Sequence, residues 1–221
     1  MSHHDEPPIG ESRWPPAVVL LAFLVLNVTV RVSDPEDVVI RIPWLAPAIE
    51  GLMLIVLLTS NPTSPAERVR LRRTSLVLSA LLVAAALWST AMLIHDLIAG
   101  EAIANHPSRL LATGAMVWLG NNIAFAILYW LTDGGGPLAR SRHEAPVDFA
   151  FTQHLSPELA PPGWRPVFLD YVHLGFTNAT AFSPTDVMPL TLRAKYAMLA
   201  QSTVALALFG LVVARAVNAF T

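Results

Sequence analysis

Five stretches of this chain are apolar for long enough to cross a lipid bilayer, and no other feature narrows its fold as far. They run over about 14–30, 42–60, 75–99, 110–131 and 192–219. A hydrocarbon layer about 30 Å thick needs roughly 17–25 mainly apolar residues in helical form. The helix is required because every backbone N–H and C=O must find its partner without water. Composition agrees: 54% of the 221 residues are hydrophobic and 14% charged, with a mean hydropathy of +0.52, whereas soluble domains carry about 25% charged residues. The expected fold class is therefore all-α, a polytopic membrane helix bundle whose first partner is the lipid bilayer. The same numbers rule out a disordered chain and argue against a conventional soluble enzyme. A net charge of −2 offers no basic surface for nucleic acid. With no cysteine there is no disulfide framework and no thiolate chemistry.

The chain divides into a tail over 1–13, a four-span bundle over 14–131, a Gly/Pro-rich loop over 132–165 and a last part over 166–221. The tail is acidic and no small-residue cleavage site follows span one, so the first span is not a secretory signal. Span two carries Pro43 in its first turn, where a missing N–H is harmless, and Thr191 is placed to cap the last span. The loop is punctuated by Gly134-Gly135-Gly136-Pro137 and Pro161-Pro162-Gly163. Arginines set the orientation. Arg68, Arg70, Arg72 and Arg73 form the densest basic cluster and place the loop between spans two and three in the cytoplasm. Met1, Arg140, Arg142 and Arg165 then lie inside, while Asp34-Pro35-Glu36-Asp37 and the 101–109 loop lie outside. The expectation is a multi-pass plasma-membrane protein with a cytoplasmic N-terminus; five spans put the C-terminus outside, six put it inside.

The segment over 166–182, PVFLDYVHLGFTNATAF, is apolar enough to enter a membrane yet carries Asp170, His173, Thr177, Asn178 and Thr180. It is too short and too polar to face lipid, so it must be buried in protein or line a watery cavity. A re-entrant helix is the natural reading, and a sixth bundle-buried crossing is the other.

The phrase over 176–191, FTNATAFSPTDVMPLT, resembles the pore loop of tetrameric potassium-type cation channels, with Asp186, Pro189 and Thr191 at matching spacings and the last span as inner helix. That resemblance implies a path lined by Thr177, Asn178, Thr180, Ser183, Thr185 and Asp186, monovalent cations as its traffic, and a homo-oligomer, tetrameric if channel-like. The filter glycines of that family fall here on Ser183 and Thr185, and its tyrosine on Pro184. Ser183-Pro184-Thr185-Asp186 also has the form of a helix start, with Ser as cap and Asp at the third position. Over most of its length the chain is similar to a family of uncharacterised bacterial integral-membrane proteins. The likeness rests on Tyr129-Trp130 closing span four, on Asp170, Tyr171 and Phe176, and on Ala216-Val217-Asn218 in the last span. That likeness implies an architecture and no activity.

Polar residues inside the other spans complete the candidates: Glu50, His95, Asp96, Asn121 and Asn122. A carboxylate at the centre of a span costs about 2.5–3.5 kcal/mol on insertion scales, so Glu50 needs a partner or a proton. A proton or cation relay with His95 and Asp96 is one reading, and hydrogen bonds that merely hold the bundle are the other. The loop residues His143, Glu144, Asp148, His154 and Glu158 lack metal-ligand spacing, and no nucleotide or hydrolase motif is found. No metal, no cofactor and no catalytic residue are therefore expected. The leading function is ion permeation or ion-coupled transport; a non-transporting membrane scaffold or partner subunit comes second, and a membrane enzyme third.

Overall fold

Residues 11–33, 44–62, 64–99, 107–180 and 186–220 are described by a computed structural model. Its long helices are α1 (Trp14–Ser33), α2 (Leu45–Thr59), α3 (Pro65–Ala99) and α4 (Pro107–Thr132). Two short helices, α5 (Pro137–Ser141) and α6 (Thr152–Leu155), flank the strand β1 (Phe149–Phe151). Helix α7 (Phe168–Thr180), strand β2 (Val187–Pro189) and helix α8 (Leu192–Phe220) complete the chain. The all-α reading is right apart from one antiparallel pair of three-residue strands, in which Phe149 faces Pro189 and Phe151 faces Val187. Stretches within α1, α3 and α8, and one running from α4 just past its end, are long and apolar enough to cross a membrane. The fifth apolar helix, α2, has 15 residues and a length of about 22 Å, short of the hydrocarbon thickness. Pro43 lies outside the described residues.

Span three begins ten residues earlier than its apolar stretch, at Pro65 rather than near 75. The reason is local. Ser64 and Glu67 form a reciprocal cap, with the Ser64 N–H donating to Glu67 Oε2 and the Glu67 N–H donating to Ser64 Oγ, both at 3.2 Å. Arginine is a good helix former, so the basic cluster extends the helix instead of breaking it.

The bundle is apolar on the outside, and its mainly apolar core also holds buried polar groups. Leu192, Tyr196, Leu199, Leu206, Phe209, Val213 and Val217 form an exposed stripe at helical spacing on α8, and Val18, Leu21 and Val25 do so on α1. Asn27, Glu50, Thr90, Asn121, Asp133 and Gln201 are buried. In water this arrangement would be unstable; in lipid it is the expected one. Helix α4 is central and packs against α1, α3, α7 and α8. At one of its ends Leu93, Leu97, Leu110, Val117, Leu208 and Val212 form a separate apolar cluster.

At the other end of α4 the chain over 132–165 is folded back rather than open. The Asp133 carboxylate accepts the N–H groups of Asp148 and Phe149 at 2.6 and 3.2 Å and the Tyr171 hydroxyl at 2.5 Å. Helix α7 starts at this end, where Phe168 packs edge-on against Trp130, and climbs until Gly175 meets Asn122 in the middle of α4. A Cβ on Gly175 would stand 3.2 Å from the Asn122 carbonyl, so glycine sets how closely α7 and α4 approach. By Val187 the chain is back beside Phe151, whose ring touches Tyr171. Both ends of the α7 excursion thus lie at the same end of α4.

Candidate functional site

A partly open cavity of about 40 Å³ lies among helices α1 to α4, lined by Asn27, Arg31, Glu50 and Ser89 among apolar side chains. Helices α1 and α2 run antiparallel, with Arg13 at the foot of α1 bonded to the Ser60 carbonyl just past the end of α2. That pairing brings Asn27 and Arg31, one turn apart, opposite Glu50. Asn27 Nδ2 donates to Glu50 Oε1 at 3.1 Å, and Arg31 Nε donates to Asn27 Oδ1 at 2.9 Å. Glu50 is 2% exposed, and its Oε2 has no hydrogen-bond partner among the described residues. Leu20, Leu82 and Ile123 line the side nearer the arginine-rich end. Toward the other end, Asn121 Nδ2 donates to Thr90 Oγ1 at 2.6 Å, while Asn121 Oδ1 and Asn122 Oδ1 have no hydrogen-bond partner among the described residues.

Of the expected relay, Glu50 finds α1 rather than α3. Asp96 is buried and lies two helical turns beyond Ser89, about 10 Å along the same face of α3. His95 Nδ1 sits 3.4 Å from Asp96 Oδ1 with its ring largely exposed. The structure therefore places Asp96 on the face of α3 that Ser89 shares, about 10 Å from the cavity, with His95 beside it on an exposed face.

The polar residues of α7 are occupied by the fold. Thr177 and Thr180 donate to the carbonyls of His173 and Phe176, at 2.9 and 3.1 Å, within their own helix. Asn178 donates to Gln201 Oε1 at 2.8 Å and to the Met198 carbonyl at 3.0 Å. Tyr129 donates to the same Gln201 oxygen at 2.7 Å, and Gln201 Nε2 returns a bond to the Gly175 carbonyl at 3.0 Å. Asp170 caps α7 by accepting the Val167 N–H at 2.7 Å, and His173 faces outward. Ser183 and Thr185 lie outside the described residues. Of Ser183-Pro184-Thr185-Asp186 only Asp186 is described, and its expected place in the first turn of a helix is corrected: it is exposed and precedes the strand β2, and the last helix begins after Thr191. Thr191 caps it as expected, its Oγ1 accepting the Ala194 N–H at 3.4 Å.

Sequence reasoning missed a second polar centre, at the foot of the bundle. Arg140 donates to the carbonyls of Trp130 and Asp133 at 3.1 and 2.9 Å and pairs with Glu11 at 3.3 Å. Glu11 also accepts the Trp130 indole N–H at 2.8 Å and the Phe168 N–H at 2.6 Å. Burial pushes the Glu11 carboxyl above its ordinary value, against the pull of those donors and of Arg140. Asp148 accepts Thr191 at 2.6 Å and a two-pronged Arg193 at 2.7 and 2.6 Å. These groups are saturated with one another, and among the described residues no cluster of three or more His, Asp or Glu could hold a metal. Only the breakers around Arg140 and Asp133 signalled structure there, and they read equally as an open loop. No protein-family model, no curated protein and no solved structure matches the chain.

Proposed function

We propose that the protein is a multi-pass membrane protein that moves protons, or another monovalent cation, past Glu50. One observation carries this: a carboxylate only 2% exposed, with one oxygen unpartnered among the described residues, facing a small cavity among α1 to α4. Such a group is expensive in a membrane and is kept where an ion or proton occupies it. The cavity has room for a few waters and not for a hydrated metal cation, which favours the proton. The route outward follows Ser89, Asp96 and His95 along α3. In this reading the four long helices α1, α3, α4 and α8 cross together with the shorter α2, α7 is re-entrant from the cytoplasmic side, and the C-terminus lies outside. The arginines on the first turns of α3 support that orientation.

The saturated Tyr129–Gln201–Asn178 network favours the second reading, a membrane scaffold whose polar groups serve packing. Purified protein in liposomes with an internal pH dye separates the two. Wild type should dissipate an imposed pH gradient, and Glu50→Gln, which keeps size and the Asn27 contact, should abolish or strongly slow that flux. A wild type that passes neither protons nor monovalent cations, or a Glu50→Gln variant as active as wild type, would refute the transport reading.

A further inference from the structure

The arginine-rich end carries a groove of about 450 Å³ between α2, α3, the foot of α4 and α5, within the size range of sites that hold small molecules, about 300–1,000 Å³. Its walls are apolar: Val56, Leu57, Val69, Leu76, Leu131 and Leu138. Its charged lining is Arg68, Arg72 and Arg142 against Glu144, two net positive charges. Arg68 Nε is buried with no hydrogen-bond partner among the described residues. Arg142 reaches Glu144 at only 3.9 Å, with both side chains exposed. Gly135 and Gly136 turn the chain at the groove with φ of 80° and 97°, a conformation that glycine adopts freely.

Polarity changes along the groove in one direction. Arg68 and Arg72 stand one turn apart near the start of α3, and Ser75 and Leu76 follow them toward the middle of the bundle. An occupant must be anionic at one end and apolar at the other. We propose that this groove holds one anionic phospholipid of the cytoplasmic leaflet. Its phosphate lies against Arg68, Arg72 and Arg142, and an acyl chain runs along Val56, Leu57 and Leu76. The proposal rests on the membrane reading and its orientation, and not on transport. Basic pockets beside transmembrane helices on the cytoplasmic side suit acidic headgroups because the charge is met at the depth where the phosphate sits.

The test is lipid retention by delipidated, detergent-solubilised full-length protein, read by native mass spectrometry. Phosphatidylglycerol and phosphatidylcholine with identical acyl chains are supplied in competition. One phosphatidylglycerol should be retained in preference, and the double variant Arg68→Gln/Arg72→Gln should lower its retention by about 30-fold, as expected for two guanidinium contacts. Arg70→Gln/Arg73→Gln removes the same charge from α3 outside the groove and should leave retention within about threefold of wild type. Equal retention of the two lipids, equal loss in both double variants, or displacement of the lipid by millimolar inorganic phosphate would each overturn the proposal. If the Arg68/Arg72 variant does not fold, the wild-type competition between the two lipids decides alone. Absent proton flux leaves this result standing, so the two readings fail separately.

Discussion

Asp133 anchors the foot of the bundle, and its removal should be the most damaging single change outside the apolar core. The residue is fully buried and accepts three hydrogen bonds, from the Asp148 and Phe149 amides and from the Tyr171 hydroxyl. Asp133→Ala strands two buried amides and a buried phenol. Each unsatisfied donor costs about 1–3 kcal/mol before water or local movement relieves it. Partial relief leaves about 3–5 kcal/mol, the range measured when a buried charged network loses one member. Tyr171→Phe removes only one donor to a carboxylate and should cost about 1.5–3 kcal/mol. The two residues touch, so the double variant should be less destabilised than the sum, by about 1–3 kcal/mol. Thermal unfolding in detergent, followed by intrinsic fluorescence, reads this directly. At about 2–4 °C per kcal/mol for a chain of this size, Asp133→Ala should lower the apparent Tm by about 10 °C. Asp133→Asn should also destabilise, because its amide turns a donor toward donors. A fall of less than about 2 °C for Asp133→Ala would refute the assignment of Asp133 as the anchor, as would strict additivity with Tyr171→Phe.

Partial desolvation beside Phe151 and Trp164 holds the His154 imidazole, which keeps access to solvent, below its usual value against the pull of Asp133. Its folded form thus binds fewer protons than the unfolded one, so its stabilising contribution is present above pH about 6.5 and is lost as pH falls. Hydrogen exchange over 149–160 should quicken between pH 7.5 and 5.5, corrected for intrinsic rate, as protonation removes the Nδ1 acceptor of the Phe151 N–H, and His154→Gln should flatten the change. Gly175→Val should destabilise by about 1–3 kcal/mol through overpacking against Asn122, while Gly51→Ala, with open space around it, should be neutral or stabilising. Thermal shifts of the pair check both signs. The chain has no native cysteine, so Ser64→Cys and Ser108→Cys report topology without background. An impermeant maleimide on intact cells should label Ser108→Cys alone, and labelling of Ser64→Cys would invert the proposed orientation.

Much of the helical layout is legible because lipid-length apolar runs have few other solutions. The end of α4 and the capped start of α8 fall within a residue or so of where hydropathy and Thr191 put them. The beginning of α3 was missed because hydropathy sees only its apolar part, although the Ser64–Glu67 cap was there to be read. Glu50 stands out in the sequence as a costly group. Its partners do not, because Asn27 and Arg31 lie 23 and 19 residues earlier and meet it only when α1 and α2 pack.

By itself the sequence determined that several helices must bury polar residues inward and present leucine and valine outward, since the solvent it implies is hydrocarbon. The tertiary structure alone decided which polar groups meet. It gave Asp133, Arg140 and Glu11 to one another, Asn178 to Gln201, and left one oxygen of Glu50 and the Nε of Arg68 without partners among the described residues. The physical reason is range. Transfer free energy is a sum over local residues and can be read along a chain. Satisfaction of a buried polar atom is settled within about 3 Å by whichever distant segment arrives there.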